Sequence, residues 1–334
     1  MPGHVAAALV AVSLLLGIGG RSAGAADAPP LVLEATIALE GTGGRIDHMA
    51  VDLRRQRLYV AELGNGTVDA VNIPGRKVIA RIPGLKEPQG IAYSATADMV
   101  VVASAGDGTV RFYRGEDLAP AGSLQLGEDA DNVRVDARNG NVIVGYGSGG
   151  LAVIDPVART KLADIRLPAH PESFQVDPAT GRAFVNLPDA RQVAVVDLSG
   201  GKASAAWRVP GALGNFAMAF DSGRGEVAVV TRSPPELIVL DAATGQLKAR
   251  LPACGDVDDV FLDARRQRLH ASCGSGEVAT WRRDGASYVP MPRTRTSVGA
   301  RTSLFVPELD RLIVAERAGL LGGRAALLVL RPQD

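Results

Sequence analysis

Met49–Val60 reads MAVDLRRQRLYV. A short apolar run closes on Asp52, a charged segment follows, and a second apolar run begins near Arg57. An Asp at the head of a brief polar segment between two apolar runs signals a tight reversal. The stretch therefore predicts an antiparallel hairpin. The same pattern returns along the chain, with the first run of each copy closing at Asp52, Ser94, Asp136, Asp177, Asp221, Asp263 and Pro307, at intervals of 41 to 44 residues.

Each anchor leads to a second apolar run (RLYVA after Asp52, NVIVG after Asp136, RLIVA after Pro307) and, past a turn, to a third (TVDAVNI, LAVIDP, AALLVL). Most units add a fourth, such as KVIARIP, TKLADIRLP or QLKARLP, with SYVPMPR the least clear. Seven units of roughly 42 residues, each with four short strands, have the spacing of propeller blades. The expected fold is all-β, a seven-bladed β-propeller of four-stranded blades forming a single domain over residues 31–334. The last unit stops after its third strand, while residues 31–39, LVLEATIAL, stand alone ahead of the first. The N-terminal strand is thus expected to complete the last blade as its outer edge and close the ring.

Units with an Asp-led turn, then LYV, then a TVDAV-type strand resemble the YVTN/YncE-like seven-bladed propellers. The resemblance covers about Leu31–Leu330. It implies the propeller fold and, because such propellers are often exported in bacteria, a periplasmic or secreted location. It implies no single activity, since the architecture hosts binding proteins, scaffolds and enzymes alike. Ser94 and Pro307 depart from the Asp pattern in ways a turn absorbs.

Thirty-six Lys and Arg balance 36 Asp and Glu, and no basic run carries interleaved aromatics, so nucleic acid is not an expected partner. Residues 5–18 form an apolar run followed by Ala23-Gly24-Ala25-Ala26, the layout of a secretory signal cleaved near Ala25. The segment ahead of the run carries no Lys or Arg. Residues 1–25 are read as signal peptide and 26–30 as a short linker. The run is short for a membrane span, so no stable span is expected after cleavage, and the mature chain is expected to be monomeric. In an exported chain Cys254 and Cys273 are a disulfide candidate.

In a propeller, the segments leading into the inner strands crowd around one mouth of the central channel. Those segments supply Arg45, Asp47 and His48 in blade one, Gln89 in blade two, and Asp131 and Asn132 in blade three. Blade four supplies Glu172 with His170, blade five Asn215, blade six Asp258 and Asp259, and blade seven Arg301. A concave mouth with converging polar groups is the default site. Three readings stay open. A calcium-like divalent cation could take oxygens from Asp131, Asn132, Glu172, Asn215 and Asp258, as in propeller-type lactonases, which are mostly six-bladed; His48 or His170 would then be the candidate catalytic base. A small molecule or a partner protein segment could set an anion on Arg45 and Arg301 and donors on the acidic arc. Or the polar groups could simply pair with one another and wet the channel.

The favoured role is a non-catalytic binding or scaffold protein acting through the channel mouth, with a metal-dependent lactonase-type hydrolase as the alternative. Zinc held by His48 and His170 is disfavoured because blades one and four lie nearly opposite. HExxH, CxxC and GxSxG patterns are absent, and GYGSGG at 145–150 and GTGG at 41–44 read as loops. A second ring of loops on the same face offers Glu62, Asn65, Tyr146, Asn186, Arg232 and Glu316, the last opening a glycine-rich segment read as a flexible loop.

Overall fold

The computed structural model describes Met1, Gly3 and residues 28–209, 211–319 and 323–334. The segment expected to be a signal peptide, with its expected cleavage site, thus falls almost wholly outside the described residues, as does part of the glycine-rich segment after Glu316. The remainder is almost wholly strand, arranged as seven antiparallel sheets. Blade one runs Met49–Asp52, Arg57–Glu62, Thr67–Asn72 and Lys77–Ile82 from the inner to the outer edge. Blades two to six follow the same order within residues 88–125, 130–166, 174–208, 213–252 and 257–295. Blade six has a divided outer edge: Ser287–Pro290 and Thr294–Arg295 both pair with Glu277–Asp284, which explains the weak pattern of SYVPMPR.

The seventh blade is built from both chain ends. Its strands run Ser303–Val306, Arg311–Glu316, Ala326–Pro332 and then Leu31–Ala38. The N-terminal strand pairs antiparallel with the last, from Leu31 opposite Pro332 to Ala38 opposite Ala326. Leu31, Ile37 and Leu39 are buried there, and Arg311 Nη2 meets Glu34 at 2.6 Å across the seam.

The core is a set of seven layers, one between each pair of neighbouring blades, and no single centre collects them. Phe112 packs between blades two and three, Phe184 between four and five, and Trp281 between five and six. Each central strand is covered on both faces, so those strands read as continuous apolar runs. The outer strands face solvent on one side and carry the charge.

The repeat extends to backbone detail. Gln56, Asp98, Gly140, Gly181, Gly225, Gln267 and Asp310, just ahead of the second strand of each blade, all have positive φ. Four of these sites accept a side chain at some cost, and glycine relieves it at the other three. In the same turns Arg55 binds Asp52 of its own blade at 2.8 Å and Asp98 of blade two at 2.7 Å. Arg266 likewise joins Asp263 to Asp310 of blade seven. These ties lock neighbouring blades on the face opposite the mouth.

Candidate functional site at the channel mouth

The mouth residues fall into rings once they are counted back from each anchor. Five residues before it stand Asp47, Gln89, Asp131, Glu172, Phe216, Asp258 and Thr302; four before it stand His48, Gly90, Asn132, Ser173, Ala217, Asp259 and Ser303. The first ring holds four carboxylates at one level of the channel. Their charges act on one another: Asp131 feels Asp47, Glu172 and Asp258, and Glu172 feels Asp258 and Asp47.

Local irregularities aim these side chains. The pairing of first and second strands slips between Pro88 and Ile91, Ala130 and Val133, Asn215 and Ala217, and Val257 and Asp259. A bulge inserts an unpaired residue and redirects its neighbours. Gln89, Asp131, Asn132, Phe216 and Asp258 lie in or beside such slips. Gly90 is required by close approach, since a Cβ there would stand 1.7 Å from the Asp131 carbonyl oxygen.

Around blades six, seven and one the charges are paired. Arg45 Nη2 holds Asp47 at 2.7 Å. Asp258 receives Arg232 at 2.5 Å and Arg301 at 2.9 Å, and Arg301 also reaches Asp256 at 2.7 Å. Arg232 lies 3.5 Å over the Phe216 ring. Asp259 accepts the Ser303 N–H at 2.8 Å and stands 3.8 Å from His48 Nδ1. The other imidazole nitrogen of His48 is 3.7 Å from Asp47 and 4.0 Å from Asp131.

Burial dominates the titration of this group. It pushes Asp47 up to about 7, against the pull of Arg45, and Glu172 up to about 7, against the pull of His170. Asp259 is raised to about 6, with His48 opposing. Asp131 is raised well above the ordinary carboxylate range by burial and then by the neighbouring carboxylates. Burial lowers His48 and so favours its neutral form.

Blades three and four differ from the rest of the mouth in lacking arginine partners, since Asp47 Oδ2 and Asp258 Oδ2, also enclosed, lie 2.7 and 2.9 Å from arginine nitrogens. Asp131 and Asn132 are buried, and their Oδ1 atoms are enclosed with no hydrogen-bond partner. Glu172 makes no side-chain hydrogen bond or ion pair among the described residues. Behind them lies Arg134, whose Nη1 donates to the Val133 carbonyl at 2.8 Å and whose charge faces Asp259 and Asp131.

The structure thus gathers Arg45, Asp47, His48, Asp131, Asn132, Glu172, Asp258, Asp259 and Arg301 at one mouth, with Gln89 half-buried beside them. The proposed cation ligands do not form one set. Asp258 is committed to two arginines. The Asn215 amide donates to Asn186 Oδ1 at 3.1 Å and to the Gln192 carbonyl at 3.0 Å, tying blade five to blade four. Among the described residues no three His, Cys, Asp or Glu side chains cluster at metal-binding distances. His48 and His170 stay apart. His170 Nδ1 lies 2.6 Å from the Gly147 carbonyl, so that nitrogen carries the proton, and 3.5 Å from Asp129.

Of the second ring, only Arg232 reaches the mouth charges. Glu62 is bound by Thr42, Thr67 and Asn65, Tyr146 donates to Asp164, and Glu316 takes Ser297. The segment at 145–150 is the hairpin loop expected. Arg134, Gln175 and Phe216 are mouth or channel residues that the loop-by-loop reading passes over. Their signal lay in the repeat: two residues before the anchor, Arg134 and Gln175 replace the Ala or Phe of the other five blades.

Cys254 and Cys273 are joined in a disulfide with Cα atoms 5.9 Å apart. It ties the segment carrying Asp256, Asp258 and Asp259 to the end of the second strand of blade six. Closing a loop with a sequence separation of 19 is worth about 3 kcal/mol by the chain-entropy relation. Replacing both cysteines by alanine is expected to lower unfolding stability in urea by about that amount. An unchanged urea midpoint would show that the bridge does not constrain the fold.

No known protein family matches the sequence, and no curated protein does. The resemblance to YVTN/YncE-like propellers therefore rests on sequence motifs alone. Solved structures match widely, 1723 chains in all, too many for the likeness to single out one activity. One belongs to the crystal structure of a mitotic checkpoint complex: TM-score 0.77, 13% identity, 100% of this chain and 99% of that one covered. Another belongs to Kuenenia stuttgartiensis hydrazine synthase: TM-score 0.72, 14% identity, 87% and 98% covered. The likeness is one of architecture. At such identities it shows the propeller and nothing about what the mouth receives.

Proposed function

We propose that this protein is an exported binding or scaffold propeller that takes a small ligand or a partner segment at its channel mouth. One observation carries the reading: the buried Asp131 Oδ1 and Asn132 Oδ1, beside Glu172, lack donors among the described residues. A buried acceptor left unmade costs roughly 1–3 kcal/mol, and such groups mark a place where something else supplies the bond. The disulfide supports an oxidising compartment, and the leader-like N-terminus supports export to the periplasm or the exterior. Metal-dependent lactone hydrolysis has in its favour a neutral His48 ringed by carboxylates. Against it stand the arginine partners of Asp258.

The test is a thermal-shift screen of a small-molecule library on the mature protein and on an Asp131→Asn, Arg301→Gln double variant. Ligands that raise the melting temperature of the wild type and not of the variant are expected. Equal responses from both proteins would move the site away from the mouth. Stoichiometric divalent metal in the purified protein, lost on chelation together with lactone hydrolysis, would replace the binding reading by the hydrolase.

A further inference from the structure

The mouth is unevenly neutralised. Asp47 has Arg45, Asp258 has Arg232 and Arg301, Asp256 has Arg301, and Asp259 has a backbone N–H and His48. Asp129, at the rim, has His170 at 3.5 Å. The side chains of Asp131 and Glu172, on adjacent blades, accept no hydrogen bond among the described residues. For Asp131 the nearest basic nitrogen within ion-pair range is His48 Nε2, at 4.0 Å. Asn132 Oδ1 joins Asp131 Oδ1 as a second enclosed oxygen without a donor.

We infer that Asp131, Asn132 and Glu172 form a subsite for a compact primary-ammonium ligand. The inference rests on the mouth-binding reading and gives its ligand a chemical class. The unmet groups are acceptors, two of them carboxylates. The missing partner must bring donors and positive charge together. A primary ammonium brings three N–H donors on one centre, and its bonds to carboxylates are of the stronger, charge-assisted kind. A bare divalent ion needs six to eight oxygens drawn in to about 2.3–2.6 Å, and no group of three His, Cys, Asp or Glu among the described residues provides a start on that. An N–H donor reaches oxygens at about 2.7–3.2 Å, and so suits acceptors spread over two blades. An anion is directed elsewhere, to a small cavity of about 60 Å³ lined by Arg45, Arg301 and Arg317, with Asp256, on the blade-seven side.

Isothermal titration of the mature protein tests this with methylammonium, butylammonium and 1,4-diaminobutane, against calcium, acetate and inorganic phosphate. At least one ammonium ion is expected to bind with one-to-one stoichiometry. Asp131→Asn and Glu172→Gln are each expected to weaken it roughly tenfold or more, the loss of one charged hydrogen bond. Asp117→Asn, which removes the same charge from an exposed outer turn, should leave affinity unchanged. An effect of Asp117→Asn equal to that of Asp131→Asn would reduce the binding to net charge and overturn the subsite. Calcium, acetate or phosphate binding in place of all three ammonium ions overturns the inference and leaves the mouth reading standing. If none of the six binds, the ammonium class is again overturned, and the library screen decides the mouth reading on its own.

Discussion

Removing residues 28–39 is expected to abolish cooperative folding of the monomer. The N-terminal strand is the outer edge of blade seven, yet Leu31, Ile37 and Leu39 are fully buried in the seam. Ile37 and Leu39 pack against blade one, with Met49, Leu58 and Val60 in the same layer. Leu31 lies in the layer shared with blade six, beside Val278. Burying each of these side chains is worth roughly 1.5–3 kcal/mol, and the strand also completes a ladder from Leu31 to Ala38. Their sum approaches the 5–15 kcal/mol that separates a folded domain from its unfolded chain. The shortened protein would also expose Ala326–Pro332 as a bare apolar edge, a template for aggregation. Sharp urea unfolding is expected for the full chain, and a broad transition with loss of the monomer peak in size exclusion for the shortened one. A truncated monomer unfolding at the same urea concentration would show that closure contributes nothing. Leu31→Ala and Ile37→Ala offer a graded version, each expected to cost about 2–5 kcal/mol.

That seam was legible because it follows from counting: a three-stranded last unit and a spare leading strand have one economical arrangement. The level of the site was legible for the same reason, since a fixed distance from the anchor fixes depth in the channel. What counting could not supply was pairing. Asn215 sits among the mouth residues in sequence, but a slip between Asn215 and Ala217 turns its amide toward Asn186. Asp258 and Asp131 hold the same offset and have opposite fates. Arg232, near the end of the second strand of the preceding blade, reaches Asp258, while the matching position ahead of Asp131 is Ala105, and Asp107 beyond it turns back to Thr109 and Arg111. Such outcomes depend on side-chain reach across a blade boundary, which no strand pattern encodes. Arg134 was overlooked for a different reason. It lies within an inner strand, where an arginine followed by Val-Asp passes for an ordinary solvent-facing position, although five of the seven blades carry Ala or Phe there.

The carboxylates of the mouth set an unusual dependence of stability on pH. Asp47 and Glu172 titrate at about 7 in the folded protein, Asp259 at about 6, and Asp131 well above its ordinary value. Facing Asp131 are Asp47, Glu172, Asp129 and Asp258, with His48 and Arg134 on the other side of the balance. An unfolded carboxylate releases its proton near pH 4. Between that point and about 7 the folded chain therefore holds more protons than the unfolded one, and stability falls as pH rises. His48 and His270, both lowered by burial, act in the opposite direction, but only below their unfolded value near 6.5. Above pH 6.5 the carboxylates act unopposed. Loss of one to two protons over that range corresponds to about 1–3 kcal/mol, so the urea-derived stability is expected to fall by that amount from pH 6.5 to 8.5. At the acidic end Asp263, held down to about 2, contributes stability that is lost below pH 4. Asp131→Asn removes one buried charge and its repulsion on four neighbouring carboxylates. It is expected to raise stability at pH 8.5 by about 1–3 kcal/mol and to flatten the profile, with a smaller effect at acidic pH, where burial favours the protonated native side chain. A wild-type profile that is flat or rises from pH 6.5 to 8.5 would mean that these carboxylates lose their protons as easily folded as unfolded, and that the ring is open to water.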